Sequence, residues 1–182
     1  MPRNNFDVSK SPLSNQPSST IGVTTLRDVK EETDLPIFFQ QQLDKEANFM
    51  AAFVSRDPND RDAFMKHWAK ILADKDNKIK TVVFDGQVAG HVASYTDREF
   101  GKPEVTYWIG REYWGRGIAT SALSEFLRRE EKNRPIYARA VKDNVASIRV
   151  LEKCGFKAIG KETSFANGRN QEVEELIMQL EA

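Results

Sequence analysis

An apolar run, a loop with two glycines and a helix-like pattern follow one another in the stretch Tyr107-Trp108-Ile109-Gly110-Arg111-Glu112-Tyr113-Trp114-Gly115-Arg116-Gly117-Ile118-Ala119-Thr120. A helix N-terminus presents unpaired backbone N–H groups and a partial positive charge, and glycines let the backbone approach a ligand without an intervening Cβ. The stretch therefore predicts a strand, a turn and a helix whose first turn binds an anion such as a diphosphate. A Gly-x-Gly turn also has a second interpretation, because many strand-to-helix connections use glycine only to turn the chain.

The residues after the second glycine distinguish this loop from two other phosphate-binding loops. Gly117 is followed by Ile118, and not by the Lys-Ser or Lys-Thr pair that ends a P-loop. The loop also lacks the third glycine of the dinucleotide-binding fingerprint. The sequence therefore disfavours both of these nucleotide-binding classes.

Upstream of this stretch, the pattern predicts one strand and two helices. Residues 21–27 alternate and are rich in β-branched side chains, which is typical of a strand. The acidic residues that follow, together with Thr33 as a helix cap, predict a first helix that runs to Glu46. A second amphipathic helix is predicted where apolar side chains recur with helical spacing, at Phe64, Trp68, Ile71 and Leu72.

The segments on either side of the glycine loop predict further strands. Residues 79–84 and 88–95 are strand-like, and the Asp85-Gly86 pair between them favours a tight type I′ hairpin turn. The two strands are therefore expected to be antiparallel neighbours. A fourth strand, a helix and a fifth strand are predicted in that order at residues 105–109, 119–127 and 135–141.

A short helix with clear start and stop signals lies in Asn144-Val145-Ala146-Ser147-Ile148-Arg149-Val150-Leu151-Glu152-Lys153-Cys154-Gly155-Phe156. Asp143 or Asn144 can cap this helix, and Gly155 stands where helices end. Another strand then begins. The Asn167-Gly168 pair predicts that this strand and residues 173–180 form a final antiparallel hairpin.

Two of these stretches resemble the GNAT superfamily of N-acetyltransferases. The run Trp114-Gly115-Arg116-Gly117-Ile118-Ala119 resembles the family's diphosphate signature, (Gln/Arg)-x-x-Gly-x-(Gly/Ala), with Trp114 in the usual Gln or Arg position. The segment from Asn144 to Phe156 resembles the family's Asn-x-x-Ser helix that ends in Gly-Phe. The tryptophan in the signature and the Tyr-Trp-Ile-Gly run upstream are similar to the ribosomal-protein-alanine acetyltransferase (Rim-like) branch.

The resemblance implies a fold and a cosubstrate. The expected fold is α/β (α+β), a mixed and mostly antiparallel sheet with helices on both faces, in which the fourth and fifth strands splay apart. Acetyl-CoA is expected to lie in that splay as cosubstrate, and no metal is implied. The residues expected to bind acetyl-CoA are Trp108, Ile109, Gly110, Trp114, Gly115, Arg116, Gly117, Ile118, Ala119, Thr120, Asn144 and Ser147.

The resemblance also implies a reaction, the transfer of an acetyl group to a primary amine of a protein N-terminus or a small molecule. Direct attack in a ternary complex is expected, because no activated nucleophile is visible. Backbone N–H groups at Trp108 and Ile109 are expected to stabilise the oxyanion, exposed by irregular strand geometry. The alternative is a catalytically silent acyl-CoA-binding GNAT sensor or interaction module, which would bind acetyl-CoA but release no CoA to any amine.

Glu104 and Ser147 are the candidate catalytic residues. In some GNAT enzymes a carboxylate at the position of Glu104 deprotonates the amine directly or through water, whereas the alternative is a solvated residue at the entry of the strand. Leu151 occupies the position of the usual tyrosine acid, so Ser147 or water would protonate the departing thiolate. Asn144 and Ser147 also have the simpler interpretation of a helix cap and a polar residue in the first turn.

Three other reactive side chains are weaker candidates. His91 lies in the third strand, where it could face the cleft as a base or simply pack. His67 is expected on the surface of the second amphipathic helix. Cys154 could be proposed as a nucleophile, but free cysteine behaves as a small hydrophobe, and packing is the expected role.

Composition sets the remaining expectations. The 182 residues fit one domain, and the 27 basic and 27 acidic residues give no basic field that would favour nucleic acid. The lone Cys154 excludes an intrachain disulfide and fits a reducing, cytoplasmic setting. No apolar run approaches the roughly 20 residues that cross a bilayer, so no membrane partner is expected.

The ends of the chain define the expected domain. Residues 1–19 are rich in Asn, Ser, Pro and Gln and predict a disordered N-terminal arm. Residues 20–182 then form the acetyltransferase domain. A monomer or a homodimer is compatible with this sequence.

Overall fold

The computed structural model describes residues 22–97 and 101–182, so the predicted arm at residues 1–19 lies outside the described residues. The chain alternates between strands and helices over the described part. The strands are β1 (Thr24–Arg27), β2 (Lys78–Phe84), β3 (Gln87–Asp97), β4 (Lys102–Ile109), β5 (Ile136–Val141), β6 (Lys157–Ala166) and β7 (Gln171–Leu180). The helices are α1 (Glu31–Gln42), α2 (Lys45–Ala51), α3 (Arg61–Ala73), α4 (Ile118–Arg129) and α5 (Val145–Lys153), with a 3-10 turn at Arg111–Tyr113.

All seven strands form one sheet in the order β1-β2-β3-β4-β5-β7-β6. Every neighbouring pair is antiparallel except β4 and β5, which are parallel and share one paired position, Glu104 with Tyr137. Because pairing between β4 and β5 stops there, the two strands diverge towards their C-terminal ends. The expected mixed sheet with a splay between the fourth and fifth strands is confirmed.

Helices cover both faces of the sheet. On one face α4 contributes Ile118, Leu123 and Phe126, which are at most 1% exposed, to the larger apolar core. On the other face α1 and α3 form a second core that includes Phe38 and Trp68. Deleting a large buried side chain such as Phe126 costs about 3–5 kcal/mol, so each core holds its helices firmly against the sheet.

The hairpin between β2 and β3 forms as the sequence predicts. Asp85 and Gly86 have φ angles of 48° and 80°, the positive pair that a type I′ turn requires. Further along β3, Gly90 lies against β4 so closely that an added Cβ would come within 1.9 Å of the Trp108 carbonyl oxygen. Glycine at this position therefore lets β3 lie close beside the C-terminal end of β4 in the sheet.

The predicted first helix is wrong in its cap and its end. Thr33 lies inside α1, whose N-cap is Lys30, and the N–H of Lys30 donates instead to the carboxylate of Asp34 at 2.9 Å. The helix also stops at Gln42, because the carboxylate of Asp44 accepts from Ala47 N at 2.8 Å and starts a separate helix, α2. A side-chain cap in the middle of a polar segment divides one predicted helix into two.

The buried carboxylate of Asp34 connects three elements. It accepts hydrogen bonds from two guanidinium nitrogens of Arg27 on β1, at 2.5 and 2.8 Å, and from the hydroxyl of Thr81 on β2 at 2.6 Å. These bonds lower the pKa of the carboxyl well below its usual range against the opposing effect of burial. The ionised carboxylate fixes the start of α1 on the sheet.

No helix among residues 22–97 and 101–182 is both long and apolar enough to cross a membrane.

Candidate active site

The glycine loop after β4 leaves a row of backbone donors open. Gly115 and Gly117 have φ angles of 74° and 75°, and an added Cβ at either position would meet no atom of the residues that the structure describes within 4 Å. Within the described part of the chain, hydrogen bonding resumes only at Ser121, whose N–H donates to Gly117 O at 3.0 Å. The N–H groups of residues 115–120 have no protein acceptor there, which fits an anion at the start of α4.

The side chains of this loop are held away from the open amides. Trp114 donates its indole N–H to Ile109 O at 2.8 Å, and the guanidinium of Arg116 lies 5.9 Å from the centre of the Phe84 ring. The side chain of Ile118 is 1% exposed in the core. At Trp114 and Ile118, therefore, the loop offers its backbone rather than its side chains to a ligand.

Gly110 makes close contacts within the protein, and its role in binding acetyl-CoA stays a prediction. Its N–H donates to Ala89 O at 2.8 Å, and an added Cβ would lie 2.8 Å from the amide nitrogen of Gln41. The N–H of Gly110 is therefore used within the sheet, and the absence of a side chain lets Gln41 pack against it. Gly110 shapes the loop, while the open amides begin at Gly115.

The two amides predicted to stabilise an oxyanion point in opposite directions. The bond from Gly110 N to Ala89 O anchors an antiparallel ladder in which every second residue of β4 donates to β3. Trp108 is one of these residues, so its amide is occupied by β3, whereas the amide of Ile109 faces the splay. The expected irregularity of β4 is absent from its register with β3, so the splay alone exposes Ile109.

An open cleft of 940 Å³ lies between α1, α3 and the β3–β4 face of the sheet. Its floor includes Thr106 and Trp108, which share one face of β4 with Glu104 because side chains alternate along a strand. The indole N–H of Trp108 has no hydrogen-bond partner within the described residues. The cleft therefore reaches the end of β4 from the face opposite α4.

His91 packs on the wall of this open cleft. Its ring centroid lies 4.9 Å from those of Phe38 and Trp68, and Nδ1 has no partner within the described part of the chain. Burial lowers the pKa of His91 to about 4, so the imidazole is neutral at physiological pH. His67, on the exposed surface of α3, lines the same cleft.

Glu104 is buried at the root of the splay, which excludes the solvated alternative. The residue is 6% exposed, and its carboxylate forms an ion pair with Arg139 across the β4–β5 boundary. Arg139 also contacts Glu162 at 2.6 Å and Asp97 at 3.7 Å. Burial raises the pKa of Glu104, while Arg139 and a hydrogen bond from Tyr95 oppose that rise.

Asn144 and Ser147 meet at the start of α5, on the other side of the splay. The side chain of Asn144 caps the helix by accepting from Ser147 N at 3.1 Å, which confirms Asn144 as the cap. The hydroxyl of Ser147 lies 2.8 Å from the hydroxyl of Tyr107, which projects from β4. Burial raises the pKa of Tyr107 to about 12, so this hydroxyl keeps its proton.

Asn144 is also connected to the open-cleft side of the molecule. Its amide nitrogen donates to Met50 O in α2 at 3.0 Å. Nearby, the guanidinium of Arg169 in the β6–β7 turn binds both carboxylate oxygens of Asp143 at 2.6 and 2.8 Å and donates to Phe49 O at 2.8 Å. The start of α5 and the end of α2 are thus fixed to each other.

Cys154 has the surroundings of a packing residue. Its thiol lies 3.6 Å from Thr120 O, against the larger core, and burial raises its pKa to about 11. A thiol with that pKa is almost wholly protonated at neutral pH, which disfavours a nucleophilic role. Among residues 22–97 and 101–182, no group of three or more His, Cys, Asp or Glu side chains could hold a metal ion.

The sequence interpretation assigned no role to Tyr107, Arg139 or Glu175. Tyr107 stood inside the quoted motif, but nothing local indicated that its hydroxyl meets α5. Arg139 interrupts the apolar run of β5, and that interruption is a signal of a functional or paired position. Glu175 is 5% exposed on β7, and burial raises its pKa to about 7.

Comparisons with known proteins agree with this geometry. Residues 24–157 match the profile of the acetyltransferase (GNAT) domain. YdaF of Bacillus subtilis (strain 168), provisionally named a ribosomal N-acetyltransferase, is 29% identical over 161 residues, which are 85% of this chain and 87% of YdaF.

Solved structures share the fold. RimJ of Mycobacterium smegmatis, in complex with a CoA disulfide, has a TM-score of 0.74 at 20% identity, covering 89% of this chain and 83% of RimJ. Spermidine N-acetyltransferase of Vibrio cholerae, in complex with CoA and spermine, has a TM-score of 0.70 at 20% identity, covering 86% of this chain and 95% of that one. Because the matched profile spans most of the chain and includes the loop with the open amides, the chain belongs to the GNAT acetyltransferase family and is an acetyl-CoA-dependent N-acetyltransferase.

Proposed function

We propose that this protein transfers the acetyl group of acetyl-CoA to a primary amine, of a protein N-terminus or a small molecule, by direct attack in a ternary complex. One observation carries the proposal. The row of open amides at residues 115–120 and the open cleft of 940 Å³ approach the C-terminal end of β4 from opposite faces of the sheet. Two ligands can therefore meet at that point without either passing through the other's site.

The amides of residues 115–120 bind the diphosphate of acetyl-CoA. Their N–H groups have no acceptor among residues 22–97 and 101–182, and the dipole of α4 adds a partial positive charge at the same place. The pantetheine arm then follows the splay past Asn144 and Ser147 at the start of α5. Acetyl-CoA supplies the acetyl thioester, and the protein holds that thioester at the C-terminal end of β4.

The amide of Ile109 stabilises the negative charge that develops on the thioester oxygen. It faces the splay, and it is fixed by the strand, so it needs no rearrangement during the reaction. Removing a single preorganised donor of this kind costs roughly 100-fold or more in rate. A proline at position 109 would remove this N–H.

Glu104 accepts the amine proton through a chain of waters. Glu104 and Trp108 lie four residues apart on the same face of β4, about 13 Å at the usual rise per residue, so direct contact with an amine at the end of the strand is excluded. Burial holds the pKa of the carboxyl above its usual value, which makes it a better proton acceptor. Arg139 keeps the side chain in place, and Glu162 and Asp97 still neutralise Arg139 when the proton arrives on Glu104.

Ser147 gives a proton to the departing thiolate. Its hydroxyl stands at the first turn of α5, and the hydroxyl of Tyr107 at 2.8 Å can return the proton or orient the serine. Both groups remain protonated at neutral pH, as an acid must. The pair takes the place of the tyrosine acid that the family resemblance implies at the position of Leu151.

A thiol-release assay with acetyl-CoA and a broad amine panel tests the proposal. Stoichiometric release of CoA with at least one primary amine, together with acetylated product by mass spectrometry, supports it. Binding of acetyl-CoA in calorimetry without thiol release to any amine would instead support the silent sensor. A covalent acetyl-protein in a reaction without acceptor would contradict direct attack.

A further inference from the structure

Carboxylates line the walls of the open cleft. Within the described residues, the only basic side chains that line it are the imidazoles of His67 and His91. Asp57, Asp60 and Asp74 line the cleft, and no lysine or arginine lines it within the described part of the chain. Asp97 also lines it but is paired with Arg139. The cleft therefore has a negative field, although the chain as a whole has no net charge.

The wall of the cleft also holds hydrogen-bond acceptors that have no donor within the described residues. Asn48, 9% exposed, donates its amide N–H to Gln42 O at 2.7 Å, while its carbonyl oxygen has no partner within the described residues. Nδ1 of His91 is likewise unpartnered, and as a neutral imidazole it can accept. Buried acceptors without donors are uncommon, because each costs free energy in the absence of a ligand.

The space between these groups is aromatic and apolar. Phe38, Phe64 and Trp68 stack on one another, with ring centroids 5.1 and 6.0 Å apart, and Ile71 and Ile79 extend the surface. Aromatic faces attract ammonium groups, and an apolar wall suits methylene groups. A peptide would instead bring an N–H and a C=O with every residue, and the side chains of this aromatic and aliphatic surface offer those groups no hydrogen-bond partner.

We propose that the acceptor is a small aliphatic amine with a second ammonium group, a diamine or polyamine, whose methylene chain lies on the aromatic wall and whose distal charge faces the cleft carboxylates. This inference rests on the proposed function and names its substrate class. The carboxylates stand at both ends of α3, about 20 Å apart by helix geometry. They therefore attract the distal charge from either end of the cleft.

The three aspartates allow a charge change without a change of fold. Oδ1 of each accepts a local backbone N–H, from Asn59, Ala63 and Asp76 respectively, at 2.9 to 3.0 Å. Asparagine keeps that oxygen and is an equally good cap. The triple variant Asp57→Asn, Asp60→Asn, Asp74→Asn therefore removes the charges alone. A matched control is Asp62→Asn, Asp76→Asn, Asp85→Asn, at positions outside the cleft lining.

The test compares butane-1,4-diamine with butan-1-amine, which share one reactive group and differ in the second charge. Thiol release should give a KM for the diamine up to about fivefold lower, because the distal ammonium reaches carboxylates at only one end of α3 at a time and an exposed charge contact contributes this order. The ratio should fall towards one in the cleft triple variant and in high salt, and stay unchanged in the control triple variant. Acetyl-CoA affinity by calorimetry should be equal in all three proteins.

Three results would overturn the inference while leaving the proposed function intact. They are equal KM values for the two amines, a diamine preference that survives in the cleft variant, and faster acetylation of a peptide N-terminus than of any diamine. Bound acetyl-CoA with no thiol release to any amine would contradict the proposed function itself.

Discussion

Replacing Gly117 by aspartate tests the anion site at the start of α4. Gly117 has a φ of 75°, and an added Cβ would project into open space beside the unpartnered amides of residues 115–120. The variant therefore places a carboxylate where the diphosphate is proposed to lie. Aspartate tolerates a positive φ better than most residues, so the folding cost is about 1–2 kcal/mol and the domain remains folded.

The expected effect on binding follows from the charges. A carboxylate about 4 Å from one phosphate charge is repelled by roughly 4 kcal/mol at an effective dielectric constant near 20. That free energy corresponds to a loss of about 1,000-fold in the affinity for CoA. The loss should shrink in high salt, because the site is open to solvent on one side.

Isothermal titration with CoA measures this loss directly. Gly101→Asp is the matched control, since Gly101 also has a positive φ, 61°, and an added Cβ there meets no atom of the described residues within 4 Å. Gly101 precedes β4, and at the usual rise the eight residues of that strand place it about 25 Å from the loop. Equal CoA affinity in Gly117→Asp and the control, with both proteins folded by circular dichroism, would refute the reasoning.

Four further substitutions have distinct readouts. Glu104→Gln should lower kcat roughly 100-fold near neutral pH and less at high pH, where the free amine needs no base. CoA affinity should be unchanged. A wild-type pH profile of kcat would contradict the proton relay through Glu104. Ser147→Ala should lower kcat about tenfold or more and Tyr107→Phe less, and a loss confined to KM would argue against an acid role. Glu175→Gln should raise the free energy of unfolding by up to about 3 kcal/mol at pH 8 and little at pH 4. The carboxyl has a pKa of about 7 in the folded protein, against an ordinary 4.5. Its ionisation therefore destabilises the fold as pH rises through that interval, and glutamine removes this effect. Equal effects in urea melts at both pH values would exclude this explanation for Glu175.

Local chemistry explains which elements could be predicted from the sequence. The turn at Asp85-Gly86 and the cap at Asn144 depend on one or two residues that satisfy nearby backbone groups, and both formed as expected. The glycine loop is similar, because its amides need only the φ values that glycine allows. These features require no knowledge of distant contacts.

The N-cap and the end of the first helix were predicted wrongly, because contacts distant in the sequence determine them. Asp44 starts α2 with a side-chain bond that competes with helix continuation, in a segment without glycine or proline to mark the break. The cap at Lys30 depends on Asp34, which is ionised and oriented by Arg27 and Thr81 from two strands. Tertiary contacts therefore decide both boundaries.

The same limit applies to the candidate site. Glu104 could be chosen from its position, but its burial and its ion pair depend on Arg139, 35 residues later in the chain. The meeting of Tyr107 and Ser147 likewise joins β4 to α5 across the splay. The direction of the Trp108 and Ile109 amides follows from the register of β3 and β4, which no local pattern specifies.

A crystal structure of the protein with CoA tests the central claim most directly. The account predicts diphosphate oxygens within about 2.7–3.2 Å of several backbone nitrogens of residues 115–120, with the pantetheine arm between β4 and β5. Density for the diphosphate at any other place, with those amides still facing solvent, would contradict it.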